Sequence, residues 1–203
     1  MITVLVACSG FQAGSVLAQA PAADPDMSET REPAQTESLA TPDREARLDD
    51  LFAQLRRESD PEAARRIVGQ IWAAWNDSGS DTVDTLMGWA NQAMTDKRYG
   101  TALDLLDQVI VLAPDYSEGW NRRATLHYIM NDHAKSMADI QRVLVLEPRH
   151  FGALAGMAAI FTAAGDDRLA LQALQRMLVI YPADRNTQSR VLALEDKLAA
   201  DNI

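Results

Sequence analysis

The chain has 203 residues, 47% of them hydrophobic and 24% charged, with a formal net charge of −10. That acidic balance argues against a nucleic-acid partner, because such binding depends on cationic neutralisation of phosphates. No run reaches the roughly 18 apolar residues that a membrane-spanning helix needs, and Cys8 stands alone, so no intramolecular disulfide can form.

Residues 1–20, "MITVLVACSGFQAGSVLAQA", are apolar, uncharged and end in small residues. They read as an export signal, with a cut after Ala18 favoured over one directly before Pro21. No Lys or Arg precedes the apolar run, which departs from the usual signal. A second reading takes "LVAC" as a lipoprotein box with Cys8 as the lipidated residue. Either implies the bacterial envelope: the periplasm for a cleaved signal, a membrane tether only if Cys8 carries lipid. Residues 21–42 are rich in Pro, Ala, Glu, Ser and Thr, with little to bury, and are expected to be a disordered linker.

From residue 43 the spacing turns helical. Thr41-Pro42 and Asp60-Pro61 each read as an N-cap followed by proline at the first helical position. Residues 43–82 are expected to form a helical hairpin. Phe52, Leu55, Trp72 and Trp75 sit one period before the columns described next, while Arg56 and Val68 fall where small residues are needed. The hairpin is therefore either a degenerate repeat or an unrelated cap, with Trp72 and Trp75 facing the following unit in both cases. In "NDSGSD" (76–81) the acidic spacing of a calcium loop is missing, and Ser80 or Asp81 is expected to cap the next helix.

Pro114, Pro148 and Pro182 recur every 34 residues, each just after a Val-Leu or Val-Ile pair. A fixed period of this length signals stacked repeats. The units are 83–116, 117–150 and 151–184. Their columns are Leu86/Trp120/Leu154, Ala90/Ala124/Ala158, Ala102/Ser136/Ala170 and Leu106/Ile140/Leu174. Two helices per unit are predicted, with breaks at Lys97-Arg98-Tyr99, Asn131-Asp132-His133 and Gly165-Asp166-Asp167. Asp132 and Asp166 are placed to cap the second helices. Residues 185–203, with Val191, Leu194 and Leu198 at helical spacing, supply the end helix that covers the last apolar face.

These columns resemble the tetratricopeptide repeat (TPR) family. The third unit follows its pattern with Leu154, Met157-Ala158, Phe161, Ala170, Leu174 and Pro182. The first departs from it at Ala93, where an aromatic is expected, and the second at Arg123 and Ser136. The resemblance implies an all-α, right-handed superhelical solenoid of antiparallel helix pairs with a C-terminal capping helix. It also implies a concave groove, lined by the first helix of each unit, that takes a partner peptide or protein. The positions carried over are Asp84, Met87, Asn91 and Met94, then Glu118, Asn121, Arg122, Thr125 and Tyr128, then Gly152, Ala155, Ala159 and Thr162. One subfamily grips a C-terminal carboxylate. Asn91 matches one of its positions, but Met87, Arg122, Gly152 and Gly156 do not, so that clamp is absent.

Two readings stand side by side for the small residues of the third unit. They form either an apolar trough for a bulky side chain or a surface for close packing by a neighbouring helix or the N-terminal tail. Arg122 likewise either meets a partner or pairs with Glu118 four residues earlier. Catalysis has no support. His127 falls where the family has an aromatic and reads as a packed core residue, while His133 and His150 lie at a helix start and a turn. None has ligand-spaced partners for zinc, and no cofactor is expected. The expectation is a non-catalytic scaffold binding another protein; the alternatives are a self-associating structural protein or an accessory subunit of an envelope or cell-wall enzyme.

Overall fold

A computed structural model describes residues 42–200, so the expected signal, Cys8 and the linker up to Thr41 lie outside the described residues. Among those described there are nine helices and no strand: α1 (Pro42–Arg57), α2 (Pro61–Asn76), α3 (Asp81–Thr95), α4 (Tyr99–Leu112), α5 (Ser117–Ile129), α6 (His133–Leu146), α7 (Phe151–Ala163), α8 (Asp167–Ile180) and α9 (Arg185–Ala200). The chain is an all-α helical-repeat solenoid. Within it α3 packs on α4, α5 on α6 and α7 on α8, and α4 meets α5, α6 meets α7 and α8 meets α9.

The 34-residue period reappears in the backbone. Lys97, Asn131 and Gly165 adopt the left-handed conformation, with φ of 58°, 61° and 77°. After each, an amide reaches back to close its helix: Arg98 to the Ala93 carbonyl at 2.8 Å, Asp132 to His127 at 2.8 Å and Asp166 to Phe161 at 2.9 Å. The carboxylates of Asp132 and Asp166 then accept the amides of Lys135 and Leu169, capping α6 and α8 as expected. Asp60 caps α2, with Pro61 at its first position, and Ser80 caps α3. Ala102 and Ala170 are completely buried where the two helices of a pair cross. Ser136, in the same column, is buried and donates its hydroxyl proton to the Ala124 carbonyl at 2.8 Å.

Arg123 occupies a column that elsewhere holds Trp89 and Met157, and its charge is compensated. The guanidinium on α5 grips Asp139 of α6 through two bonds, at 2.9 and 2.7 Å, and Asp107 of α4 at 2.6 Å. It also lies 5.0 Å from the Trp120 ring. The hydrogen bonds it donates to Asp139 push its pKa further above the ordinary arginine value. His127 is packed in this neighbourhood at 7% exposure, where burial lowers its pKa against the opposing pull of Asp139.

The α1–α2 hairpin departs from expectation in where it sits. Trp72 and Trp75 do not pack on the following unit; they reach the inter-repeat turn that opens α7. Trp75 stacks on His150 at 4.1 Å with the planes 6° apart. Trp72 meets Phe151 edge-on at 5.5 Å. From α1, Leu48, Leu51, Phe52 and Leu55 join Phe151, Leu154, Met177, Tyr181 and Ala183 in one buried cluster. Arg149 fastens the outside, 2.6 Å from Asp49 and 4.3 Å above the Phe52 ring. At the other end the Tyr116 hydroxyl donates to the Asn76 carbonyl at 3.2 Å. The aromatic side chains explain the choice of seat. Trp72, Trp75 and Phe52 bury large areas, and the start of α7 offers His150 and Phe151 as complementary rings.

Candidate partner-binding groove

The thirteen positions carried over from the repeat pattern separate into three groups. The first is structural. Asp84 accepts the Ser78 amide at 3.1 Å and holds the turn before α3. Met87 is buried in the core of the first unit, and Met94 packs on the same cluster. Glu118 is fully buried. Asn121 donates to both its carboxylate oxygens at 3.1 Å, and the fully buried His150 approaches through Nε2 at 3.1 Å. Because the Ala153 amide donates to His150 Nδ1 at 3.0 Å, the imidazole proton sits on Nε2 and is given to Glu118. His150 thus caps α7, bridges α5 and α7, and stacks under Trp75 at once.

The second group lines a trough. Asn121, Thr125 and Tyr128 of α5 face Gly152 and Ala159 of α7 across a hollow of about 80 Å³. Ala124, Ser136, Ile140, Ala153 and Gly156 complete its walls and floor. Ser136 and Ile140 were expected only as inter-helix packing residues. They line the trough because the small residues at 152, 153 and 156 leave these α6 side chains uncovered on that side. Tyr128, 39% exposed, stands at the rim and stacks on His133 at 5.3 Å. Trp72 packs on Gly152 beside this hollow: its ring lies 2.9 Å from where a Cβ on Gly152 would project. At Gly152, then, close packing by a neighbouring helix is what the structure shows, and Ala155 packs against the same hairpin cluster. The trough stays open from Gly156 to Ala159.

The third group stands apart from the trough. Asn91 on α3 is half-covered and its Oδ1 has no hydrogen-bond partner. Arg122 lies 3.8 Å from Glu118, the i,i+4 pairing weighed above, and its buried Nε has no acceptor. Thr162 turns its hydroxyl inward to the Ala158 carbonyl at 2.8 Å. Sequence spacing could not have placed Trp72 against Gly152, because that contact joins positions 80 residues apart that occur once each. Among the described residues no group of three His, Cys, Asp or Glu side chains is arranged to hold a metal ion.

Comparison with known proteins decides the family. No family model matches the chain. A TPR repeat-containing protein of Rhizobium etli is 56% identical over 155 residues, covering 76% of each chain. The chain belongs to the tetratricopeptide repeat family. Solved structures carry the same fold at lower identity. The first TPR of Spaghetti (RPAP3), bound to the HSP90 peptide SRMEEVD, superposes with a TM-score of 0.55 at 18% identity, over 59% of this chain and 98% of that one. The Sgt2 TPR domain from Aspergillus fumigatus gives 0.55 at 21%, over 61% and 83%. The MamA protein gives 0.53 at 18%, over 80% and 87%. TPR membership and the helical-repeat fold make this chain a protein-interaction scaffold in type.

Proposed function

We propose that this TPR chain is a non-catalytic scaffold of the bacterial envelope that seats a segment of a partner protein in the trough between α5 and α7. The observation that carries the reading is the open part of that trough. Gly156 and Ala159 leave an apolar floor beside the exposed phenol of Tyr128, and the Trp72 ring packs on the adjoining surface at Gly152. A pocket of this make-up, apolar with a few convergent polar groups, suits one large apolar side chain and its flanking backbone. Export rests on the apolar, uncharged residues 1–20 with their small-residue ends.

Two experiments test the two halves. Ala159→Trp fills the trough from one wall. Proteins cross-linked to the wild-type chain in envelope extracts are expected to be lost with this variant while far-ultraviolet circular dichroism stays unchanged. Equal recovery from both chains refutes the seat. N-terminal sequencing of the protein from its native cell is expected to show residues 1–18 removed, or Cys8 lipidated. An intact Met1 in the cytosol refutes export in both forms.

A further inference from the structure

Arg123 does more than offset its own burial. From its place on α5 it joins Asp107 of α4 to Asp139 of α6, so one guanidinium ties three helices. One turn further along α5, His127 faces the same Asp139 carboxylate. Its Nε2 lies 3.9 Å from Asp139 Oδ2, beyond hydrogen-bond reach, and the two side chains are only 9% and 6% exposed. Arg123 meanwhile holds both Asp139 oxygens, one through Nε and one through a terminal nitrogen. A buried carboxylate thus has two nitrogen donors beside it on one helix, four residues apart, and bonds to one of them. A cavity of about 390 Å³ between the three helices is lined by Asp107, Arg123, His127, Lys135 and Asp139, so a proton can reach the ring without unfolding.

We propose that these residues form an acid-responsive clasp: a proton on His127 draws Asp139 away from Arg123, and the bridge from α4 to α6 opens. The charges that act on His127 are few. Asp139 and Lys135 stand on α6, Asp132 caps that helix, Arg123 lies on α5 itself, and Asp107 stands across the cavity on α4. Helix α7 carries no ionisable side chain, and α2 meets the other end of α5, where Tyr116 bonds to Asn76. Burial is the largest influence and lowers the His127 pKa from 6.5; Asp139 pulls it up, and Arg123 pushes it down again. A folded-state pKa below the unfolded value gives stability that is complete above pH 6.5 and is lost as pH falls below it. The closed clasp therefore resists the proton, and by linkage the proton favours the open clasp. Ser136 and Ile140, on either side of Asp139 in the sequence of α6, line the trough. Acid thus loosens two of its walls, a consequence for binding that rests on the trough being the partner's seat.

Nuclear magnetic resonance titration of the full chain, from neutral to acid pH, tests the clasp. The His127 ring is expected to take its proton below pH 6.5, and the Arg123 Nε–H signal to shift in the same step as Asp139 leaves it. Hydrogen exchange at the α6 amides should quicken through that step relative to His127→Phe, by up to about tenfold for each pH unit. That variant copies Phe161 one unit later and cannot titrate. A His127 ring that titrates at or above pH 6.5 overturns the inference. So does an Arg123 signal blind to the titration, or an equal acid response from the wild type and His127→Phe. Should His127→Phe not fold, the two wild-type signals decide alone. None of these readings needs a partner, so a trough that fails as a seat in the Ala159→Trp experiment leaves them unchanged.

Discussion

The seam between the second and third repeats and the seat of the α1–α2 hairpin are both buried and well filled, yet they are written in different ways. At the α6–α7 seam every contact has a counterpart 34 residues away. Val143 has Val109 and Met177, Ala153 has Gly119 and Thr187, and Ile140 has Leu106 and Leu174. At the hairpin seat no contact is repeated. His150 aligns with Tyr116 and Asp184, Phe151 with Ser117 and Arg185, and Gly152 with Glu118 and Asn186. The seam is a local rule applied again at each unit, as expected of a quasi-one-dimensional array. The hairpin seat is a single long-range match that bridges units the array itself keeps apart.

The sharpest way to break the difference is at Trp75. It is 4% exposed and contacts Phe52, Trp72, His150 and Phe151. Trp75→Ala is expected to lower unfolding free energy by about 3–5 kcal/mol, read by denaturant titration. Were the hairpin only loosely laid on the repeats, the loss would fall within about 0.5 kcal/mol, the range of surface changes.

Arg123 tests the repeat side. Arg123→Met imitates Met157 one unit later but strips Asp139, whose side chain is 6% exposed, of its main counter-charge. A loss of about 3 kcal/mol is expected, since breaking a buried pair from one side leaves an uncompensated charge. Adding Asp139→Ala should recover most of it, because the second variant removes the stranded carboxylate. No recovery would mean that the arginine acts through packing on Trp120 and not through the pair. A smaller effect belongs to the crossing column. Ala102→Leu and Ala170→Leu overpack sites of 0% exposure and should each cost about 1–3 kcal/mol. The exposed change Asp104→Lys on the same helix pair should stay within about 0.5 kcal/mol.

The same distinction explains how far sequence reasoning reached. The breaks at Lys97, Asn131 and Gly165, the caps at Asp132 and Asp166, and the buried small columns follow from spacing alone, because each is set by chemistry within one or two turns of helix. The groove positions on α5 and α7 are those that the family resemblance implies, and Asn121, Thr125, Tyr128, Gly152 and Ala159 share one hollow. The register says nothing about what else comes near them. It could not show that Glu118 is bound up with His150, or that Trp72 packs on Gly152. The first depends on a histidine in the column that holds Tyr116 and Asp184 in the other units, and the second joins residues with no periodic equivalent. The Trp72-x-x-Trp75 spacing marks an aromatic face on α2 but not the surface it meets.

Tyr116 provides the finest test, since it joins the two kinds of contact in one side chain. It is the residue before α5, in the column of His150, and 3% exposed; its hydroxyl donates to the Asn76 carbonyl at the end of α2. Burial, with the negative charges of Glu118 and Asp84 next, raises its pKa above the ordinary 10.0. A folded-state pKa above the unfolded value means that the unfolded chain loses the proton first. The contribution of Tyr116 is therefore complete below pH 10.0 and is lost as pH climbs through the folded value. Tyr116→Phe keeps the ring but removes both the bond and the titrating group. At neutral pH it should cost about 0.5–1.5 kcal/mol. Above pH 10.0 the stability gap between wild type and variant should narrow as the phenol ionises. Tryptophan fluorescence, which reports on Trp72 and Trp75 at the hairpin seat, follows this in parallel alkaline titrations. A gap that stays constant across that range would show that the Tyr116 proton is not what ties α2 to α5.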